Sequence, residues 1–184
     1  DAVRQDLQQS NIPFAELDLY RSGFDPRLQE EDEPQWGNPK KIYSDEVMQL
    51  ASQVNEKSIL IFIFPTWWAS LPAIMKGYID RVFNYGIAYG GHHKLNPRIW
   101  RWVTLVGETH QEFSVDRSAD QSMAHVLNYG IARYCGATDS KVVFLYNSLA
   151  EGIDDIATHH EELIEQAVTA VREAVDADIQ VATA

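Results

Sequence analysis

The chain is short of what secreted, membrane-spanning and nucleic-acid-binding proteins need. Cys135 is the only cysteine in 184 residues. No internal disulfide can form, and a reducing, cytoplasmic setting is expected. Placed before Gly136 at an expected helix end, Cys135 reads as a small buried hydrophobe rather than a nucleophile. Long apolar runs are missing too. The longest, Ile59–Phe64, falls far short of the roughly 20 residues of a membrane span. The opening Asp1-Ala2-Val3-Arg4-Gln5-Asp6 does not have the pattern of a secretory signal. Positive charge is scarce: 15 Lys and Arg against 27 Asp and Glu give a net charge of −12. That balance argues against a nucleic-acid partner, which requires a basic patch. The acids gather at 30–33, Asp154-Asp155 and Glu161-Glu162, and read as solvated faces.

With 45% apolar and 23% charged residues, 1–184 reads as one globular domain. Residues 1–9 read as a helix with Val3 and Leu7 on one face, and Asn11–Pro13 as a turn. Phe14–Tyr20 alternates, with Ala15, Leu17 and Leu19 on one face, and reads as a strand. Residues 21–43, rich in Pro, Gly and charge, form a long connection. Ser44 is placed to cap a helix carrying Val47, Leu50, Ala51 and Val54. Ile59–Phe64 reads as a strand buried on both faces. Ser70 and Pro72 suit the start of a helix carrying Ile74, Tyr78, Val82 and Phe83. Gly77 in that helix is either a tolerated imperfection or a site of close backbone approach. Ile99–Val106 is a further strand with Trp100 and Trp102 on one face. Ser118-x-x-Gln121 matches a capping box for a helix carrying Met123, Val126, Leu127, Ile131 and Tyr134 and ending at Gly136. Lys141–Tyr146 is another strand, and a final helix carries Ile164, Val168, Val171 and Val175.

Strands alternating with helices predict an α/β fold with a parallel sheet covered on both sides. Doubly wound sheets usually place their first strand near the centre. A chain that opens in a helix followed by a strand lacks that element, so residues upstream of Asp1 are expected to supply it. Without them the sheet has a gap. Ligands of such sheets bind past the carboxyl ends of the strands. There this chain has Phe64-Pro65-Thr66-Trp67-Trp68, flat aromatic surface suited to a planar ligand.

The segment Phe64-Pro65, Trp68, Pro72-Ala73, Lys76-Gly77, Tyr78, Asp80 and Arg81-Val82-Phe83 resembles the signature of flavodoxin-like NAD(P)H:quinone oxidoreductases. Asp18-Leu19-Tyr20, Gly23-Phe24-Asp25-Pro26, Ala88-Tyr89 and Cys135-Gly136 resemble further family elements, so the likeness covers most of the chain. The resemblance implies a flavodoxin-like fold and a flavin, FAD or FMN, held by Phe64, Pro65, Thr66, Trp67 and Trp68. It also implies a loop from Gly107 and Glu108 to Phe113 along the flavin, with NAD(P)H as co-substrate. Quinones would be reduced by ping-pong hydride transfer. It further implies a homodimer, with Trp67 and the partner-reaching Tyr89 lining the substrate pocket.

The chain departs from the family in its second loop. Thr-Thr-Gly-Gly becomes Val106-Gly107-Glu108-Thr109, the expected tyrosine is Phe113, and Ala119 stands near the expected histidine. Phe113 cannot donate a hydrogen bond, and His110 is the nearby substitute. No catalytic residue is therefore assigned. The family's phosphate site, where backbone N–H groups receive anions, belongs to a segment preceding Asp1. Two other readings compete. A flavin-binding regulatory subunit of an ion-efflux system suits the altered loop. A metal hydrolase built on His92-His93, or on His159-His160 with Glu162, does not suit the spacing. Adjacent helical residues point about 100° apart, so no metal site is expected.

Overall fold

Strand β2 (Ile99–Leu105) is the centre of the sheet, and its sequence shows why. From Ile99 to Thr104 every residue is buried, with large indoles at Trp100 and Trp102. The computed structural model describes residues 1–183. Strands β1 (Ile59–Pro65) and β3 (Asp139–Leu145) flank β2 in parallel, in the order β1-β2-β3. The register runs from Ile59 beside Ile99 beside Asp139 to Pro65 beside Leu105 beside Leu145. All three strands therefore end at one edge.

Period-two alternation gives each face its own core. Phe62, Phe64, Trp100 and Trp102 turn toward α2 (Asp45–Asn55), α3 (Ala73–Val82) and α4 (Ala119–His125). Phe62 stacks on Trp102 at 4.3 Å and 14°. Ile61, Val103, Val143 and Leu145 turn toward α1 (Ala2–Gln9) and α5 (Ile156–Thr183). Helices thus cover both faces, as expected. Among the described residues no helix is long and apolar enough to cross a membrane.

Several expectations are corrected. Phe14–Tyr20 is not a strand: it joins no ladder, and Phe14 and Leu17 are 40% and 43% exposed. Alternation supplies a face, but a strand also needs a neighbour for its N–H and C=O groups, and none of β1–β3 lies beside it. Nor is β1 buried on both faces: it is an edge strand of the sheet, and Ile63 is 49% exposed. Ser70 does not cap α3, whose N-cap is Pro72. Ser118 has φ 52° and caps nothing with its side chain.

The helix after Ser118 continues as a π-helix over Val126–Arg133. The wider turn moves the buried stripe to Met123, Leu127 and Ala132, leaving Val126 and Tyr134 exposed. On α5 the buried stripe is Leu163, Ala167, Ala170, Val171 and Ala174, while Ile164 faces out. Alanines let this helix lie close on Val103 and Leu145. Cys135 is buried as expected, and burial pushes its thiol up to about 11, against a lowering by Lys94.

The connection 21–43 is held from below by one charged residue. Arg81 of α3 pairs with Asp32 at 2.8 Å, both almost fully buried. It also donates to the Asp25 carbonyl at 2.5 Å and pairs with the half-exposed Glu46 at 2.9 Å. Asp32 further accepts from the Ser44 backbone N–H and hydroxyl, and Asn84 donates to the Asp32 carbonyl. Asp32 is thus not part of a solvated acidic face. Burial pushes its carboxyl up, but hydrogen bonds from Arg81 and Ser44 outweigh this and hold it below the usual value. Gly77 is explained by close approach: a Cβ there would sit 2.3 Å from the Pro26 carbonyl oxygen.

Asp32→Ala, which strands Arg81 beneath the connection, is expected to lower unfolding free energy by about 3–5 kcal/mol. Glu46→Gln, on the exposed side of the same guanidinium, is expected to cost less than about 1 kcal/mol. Urea denaturation compares them. Because the Asp32 carboxyl is depressed in the fold, its contribution is present above about pH 4 and fades as pH falls below that. Gly77→Ala is expected to destabilise by about 1–3 kcal/mol through overpacking, although alanine is the better helix former.

Candidate functional site at the carboxyl edge of the sheet

Three loops leave the shared carboxyl edge and are stitched to one another by backbone hydrogen bonds. After β1, the Thr66 N–H donates to the Leu105 carbonyl at 2.8 Å, and the Thr66 and Thr104 hydroxyls lie 2.6 Å apart. After β2, Val106 donates to Leu145, while Asn147 and Ser148 beyond β3 donate back to Glu108 and Val106. The parallel register makes this possible, because each strand delivers its next residue at the same height.

The first loop reverses at once. Trp67 and Ser70 exchange both backbone hydrogen bonds, at 3.0 and 2.9 Å. The two residues between them, Trp68 and Ala69, have φ of 51° and 52°. Two-residue turns with both φ values positive normally use Asn-Gly; side chains there cost about 1–2 kcal/mol per residue. The strain lifts the indoles off the domain: Trp67 is 60% exposed and Trp68 97%. Phe64 behaves differently. It is buried and packs edge-on against Trp102, which anchors the end of β1 while exposed Pro65 closes the strand.

In the second loop Gly107 is half-buried, and exposed Glu108 is ion-paired with Arg117. Glu112 accepts from the Thr109 backbone N–H and hydroxyl at 3.0 and 2.8 Å, which lowers its carboxyl below the usual value. The guanidinium of Arg117 sits 5.8 Å over the Phe113 ring. Phe113 is buried against Phe144, so its ring supports the loop from beneath. Among the described residues, the backbone N–H groups of Trp68, Ala69, Gly107 and Glu108 have no hydrogen-bond partner. Two adjacent loops therefore combine free donors with open aromatic surface. This donor set suits a planar ring bearing carbonyl oxygens and ring nitrogens, as an isoalloxazine does.

Tyr89 is not brought to this edge. It packs on Tyr134 at 5.5 Å, and Tyr134 precedes β3, whereas Trp67 follows β1. The two lie at opposite ends of a parallel sheet whose strands are roughly 23 Å long. Trp36, Tyr85, Tyr89 and Tyr134 form a separate aromatic cluster there. His92 and His93 are exposed, and the His159 Nε2 lies 2.9 Å from the Asn147 carbonyl. Sequence reasoning missed Tyr146, whose hydroxyl lies 2.8 Å from the Ser114 Oγ beside His110. A tyrosine directly after the apolar run Val142–Leu145 was the available signal.

Residues 1–174 match the family described as having the flavodoxin-like fold. The chain belongs to that family. It is 42% identical over 178 residues to the uncharacterized NAD(P)H oxidoreductase YcaK of Escherichia coli (strain K12), covering 96% of this chain and 88% of that one. It is 29% identical over 100 residues to the rat ribosyldihydronicotinamide dehydrogenase [quinone], spanning 46% of this chain and 43% of that relative. An NAD(P)H:quinone oxidoreductase from Methanothermobacter marburgensis has the same fold, with a TM-score of 0.78 at 24% identity over 92% of this chain and 83% of that one. The family read from Phe64–Phe83 is therefore the family found.

For this flavodoxin-like protein, Ala69→Gly is expected to relieve the left-handed turn and raise stability by several tenths of a kcal/mol. The gain is the removed strain less the added freedom of the unfolded glycine. Trp68→Ala is expected to leave stability within about 0.5 kcal/mol of the parent, as befits an exposed side chain. Urea midpoints measure both.

Proposed function

We propose that the protein is a flavin-dependent NAD(P)H:quinone oxidoreductase. The observation that carries this is the strained Trp67-Trp68 corner set beside unpaired N–H groups of two adjoining loops. The names of the relatives support it: an NAD(P)H oxidoreductase in E. coli and a quinone-linked dehydrogenase in rat. A structure with the same fold from Treponema denticola, at 20% identity and a TM-score of 0.63, over 96% of this chain and 88% of that one, is described in complex with FMN.

In this reading the backbone of Phe64, Pro65 and Thr66 fixes the exit of β1, and the indoles of Trp67 and Trp68 cover the ring and exclude water. The N–H groups of Gly107 and Glu108 hold its polar edge, and Phe113 keeps their loop in place. When bound, the flavin, FAD or FMN, supplies two-electron hydride chemistry between NAD(P)H and a quinone. One open aromatic slot serves both substrates in turn, which gives ping-pong kinetics. Because Tyr89 stands at the far edge from Trp67, it lines a pocket only across a homodimer, reaching the site of a second copy.

Purified protein is expected to be yellow, to be bleached by NADPH without oxygen, and to regain its colour with menadione. Initial rates at several menadione concentrations are expected to give parallel double-reciprocal lines. Trp67→Ala is expected to weaken flavin binding about fivefold, the worth of one aromatic contact. Protein that stays colourless with added FAD and FMN would sink the proposal. Flavin binding without NADPH oxidation would favour a regulatory role instead. A weaker relative, the potassium-efflux ancillary protein KefF of Enterobacter sp. (strain 638), is 26% identical over 100 residues, covering 52% of this chain and 57% of that relative.

A further inference from the structure

The loop after β3 has no part in the proposed function, yet it stands at the same edge and is tied on both sides. Toward β2, the Asn147 N–H donates to the Glu108 carbonyl at 2.8 Å and the Ser148 N–H to the Val106 carbonyl at 2.9 Å. Toward α5, the His159 Nε2 lies 2.9 Å from the Asn147 carbonyl. Within the loop, the Asn147 side chain accepts from the Glu151 N–H at 2.9 Å and donates to the Glu151 carbonyl at 3.0 Å. Asn147 and Ala150 are both buried, with φ of 51° and 55°. Asparagine tolerates left-handed backbone and alanine does not. A second strained corner therefore faces the first across the loop that follows β2.

Between those two buried anchors Leu149 is 70% exposed. An exposed leucine alone means little; the placement of this one is what matters. It lies on Gly107, where a Cβ would meet the Leu149 Cδ1 at 3.1 Å and its Cγ at 3.5 Å. The φ of Gly107 is not positive, so its backbone does not call for glycine; space does. Gly107 also stands beside the aromatic corner. Pro65 pairs with Leu105, and Trp67 and Gly107 each follow two residues later. Across the edge the order is therefore Trp67, Gly107, Leu149. The exits of β1 and β3 are two strand spacings apart, about 10 Å. Apolar side chains thus rise on both sides of the loop that carries the free N–H groups.

We infer that Leu149 is the second wall of the slot and the residue that sets the width of acceptor it takes. The inference rests on the quinone-reductase reading above. The indoles of Trp67 and Trp68 bound the slot on one side and Leu149 bounds it on the other. Gly107, bare of a side chain, leaves the passage between them open. Two fused rings laid across Gly107 from the indole side reach Leu149, whereas a single ring stops short of it. The isobutyl group offers apolar contact and no hydrogen bond. The acceptor class selected is therefore an apolar fused-ring quinone, and a charged substituent at that end is disfavoured because its desolvation is not repaid. Selection by width needs a wall that does not yield, and the anchored backbone of Asn147 and Ala150 supplies one.

The test uses Leu149→Ala, which widens the slot, and Leu149→Trp, which narrows it. The side chain is exposed, so both variants are expected to keep the parent's urea midpoint. Flavin affinity, read by fluorescence titration of apoprotein, is expected to match the parent in Leu149→Ala. Menadione binding to the oxidised holoprotein, read by quenching of indole fluorescence, is expected to weaken about tenfold in Leu149→Ala. KM for menadione is expected to rise by the same factor with kcat unchanged, as for a contact made equally in ground and transition states. KM for 1,4-benzoquinone, a single ring, is expected to stay at the parent's value in both variants. Leu149→Trp is expected to raise KM for menadione at least as much as Leu149→Ala. Menadione Kd and KM unchanged in both variants would overturn the inference. Equal rises for menadione and benzoquinone would overturn it too, marking a general disturbance of the loop. So would a loss of flavin affinity with menadione binding intact, which places Leu149 against the cofactor instead. If the parent itself binds no flavin, the quinone-reductase reading falls and this inference falls with it.

Discussion

The guanidinium of Arg81 is the contact on which the near side of the domain depends. Residues 21–43 contain only one short 3-10 turn, Glu30–Asp32, and cannot support themselves. Arg81 reaches out of α3 to Asp32, the Asp25 carbonyl and Glu46, joining three chain segments through one planar group. A fork of fixed donors suits this role as a lysine would not. The clamp also explains Gly77: α3 must lie close enough for Pro26 to press where a side chain would stand. Arg81 and Gly77 lie on one helix, four residues apart, and act on the same segment.

The far consequence of that clamp is the carboxyl edge. With α3 fixed, the loop that feeds it must turn back sharply from β1. The chain makes that reversal with Trp68 and Ala69 in left-handed backbone rather than with glycine. Such strain persists where surrounding structure over-determines it and is concentrated at functional sites. Here the surroundings are the double hydrogen bond between Trp67 and Ser70 and the Thr66–Leu105 bond to the next strand. The result is aromatic surface held open in a fixed place, which a binding site needs and a core does not.

Much of this was legible in the chain. Ile59–Phe64 and Ile99–Val106 announce strands because both are β-prone runs bounded by turns, although only the second is buried along nearly its whole length. Ser44 caps α2 as read, with its Oγ accepting from the Val47 N–H. Phe64–Phe83 carried the family. The failures share a cause. Phe14–Tyr20 has the alternation of a strand but no neighbour to pair with. Val126 and Ile164 have helical spacing, but a π-turn on one helix and an alanine-lined approach on the other rotate them outward. Asp32 sits in an acidic run and is nonetheless buried, because its partner is Arg81, far along the chain.

The sequence by itself determined the α/β class, the central strands and the aromatic corner, because these follow from local pattern and composition. Tertiary structure alone decided which groups meet: Arg81 with Asp32, Tyr146 with Ser114, and Tyr89 with Tyr134 instead of Trp67. Periodicity records which face a residue turns toward. It carries no information about what stands opposite, since that is set by strand order and register, which couple residues distant in the chain.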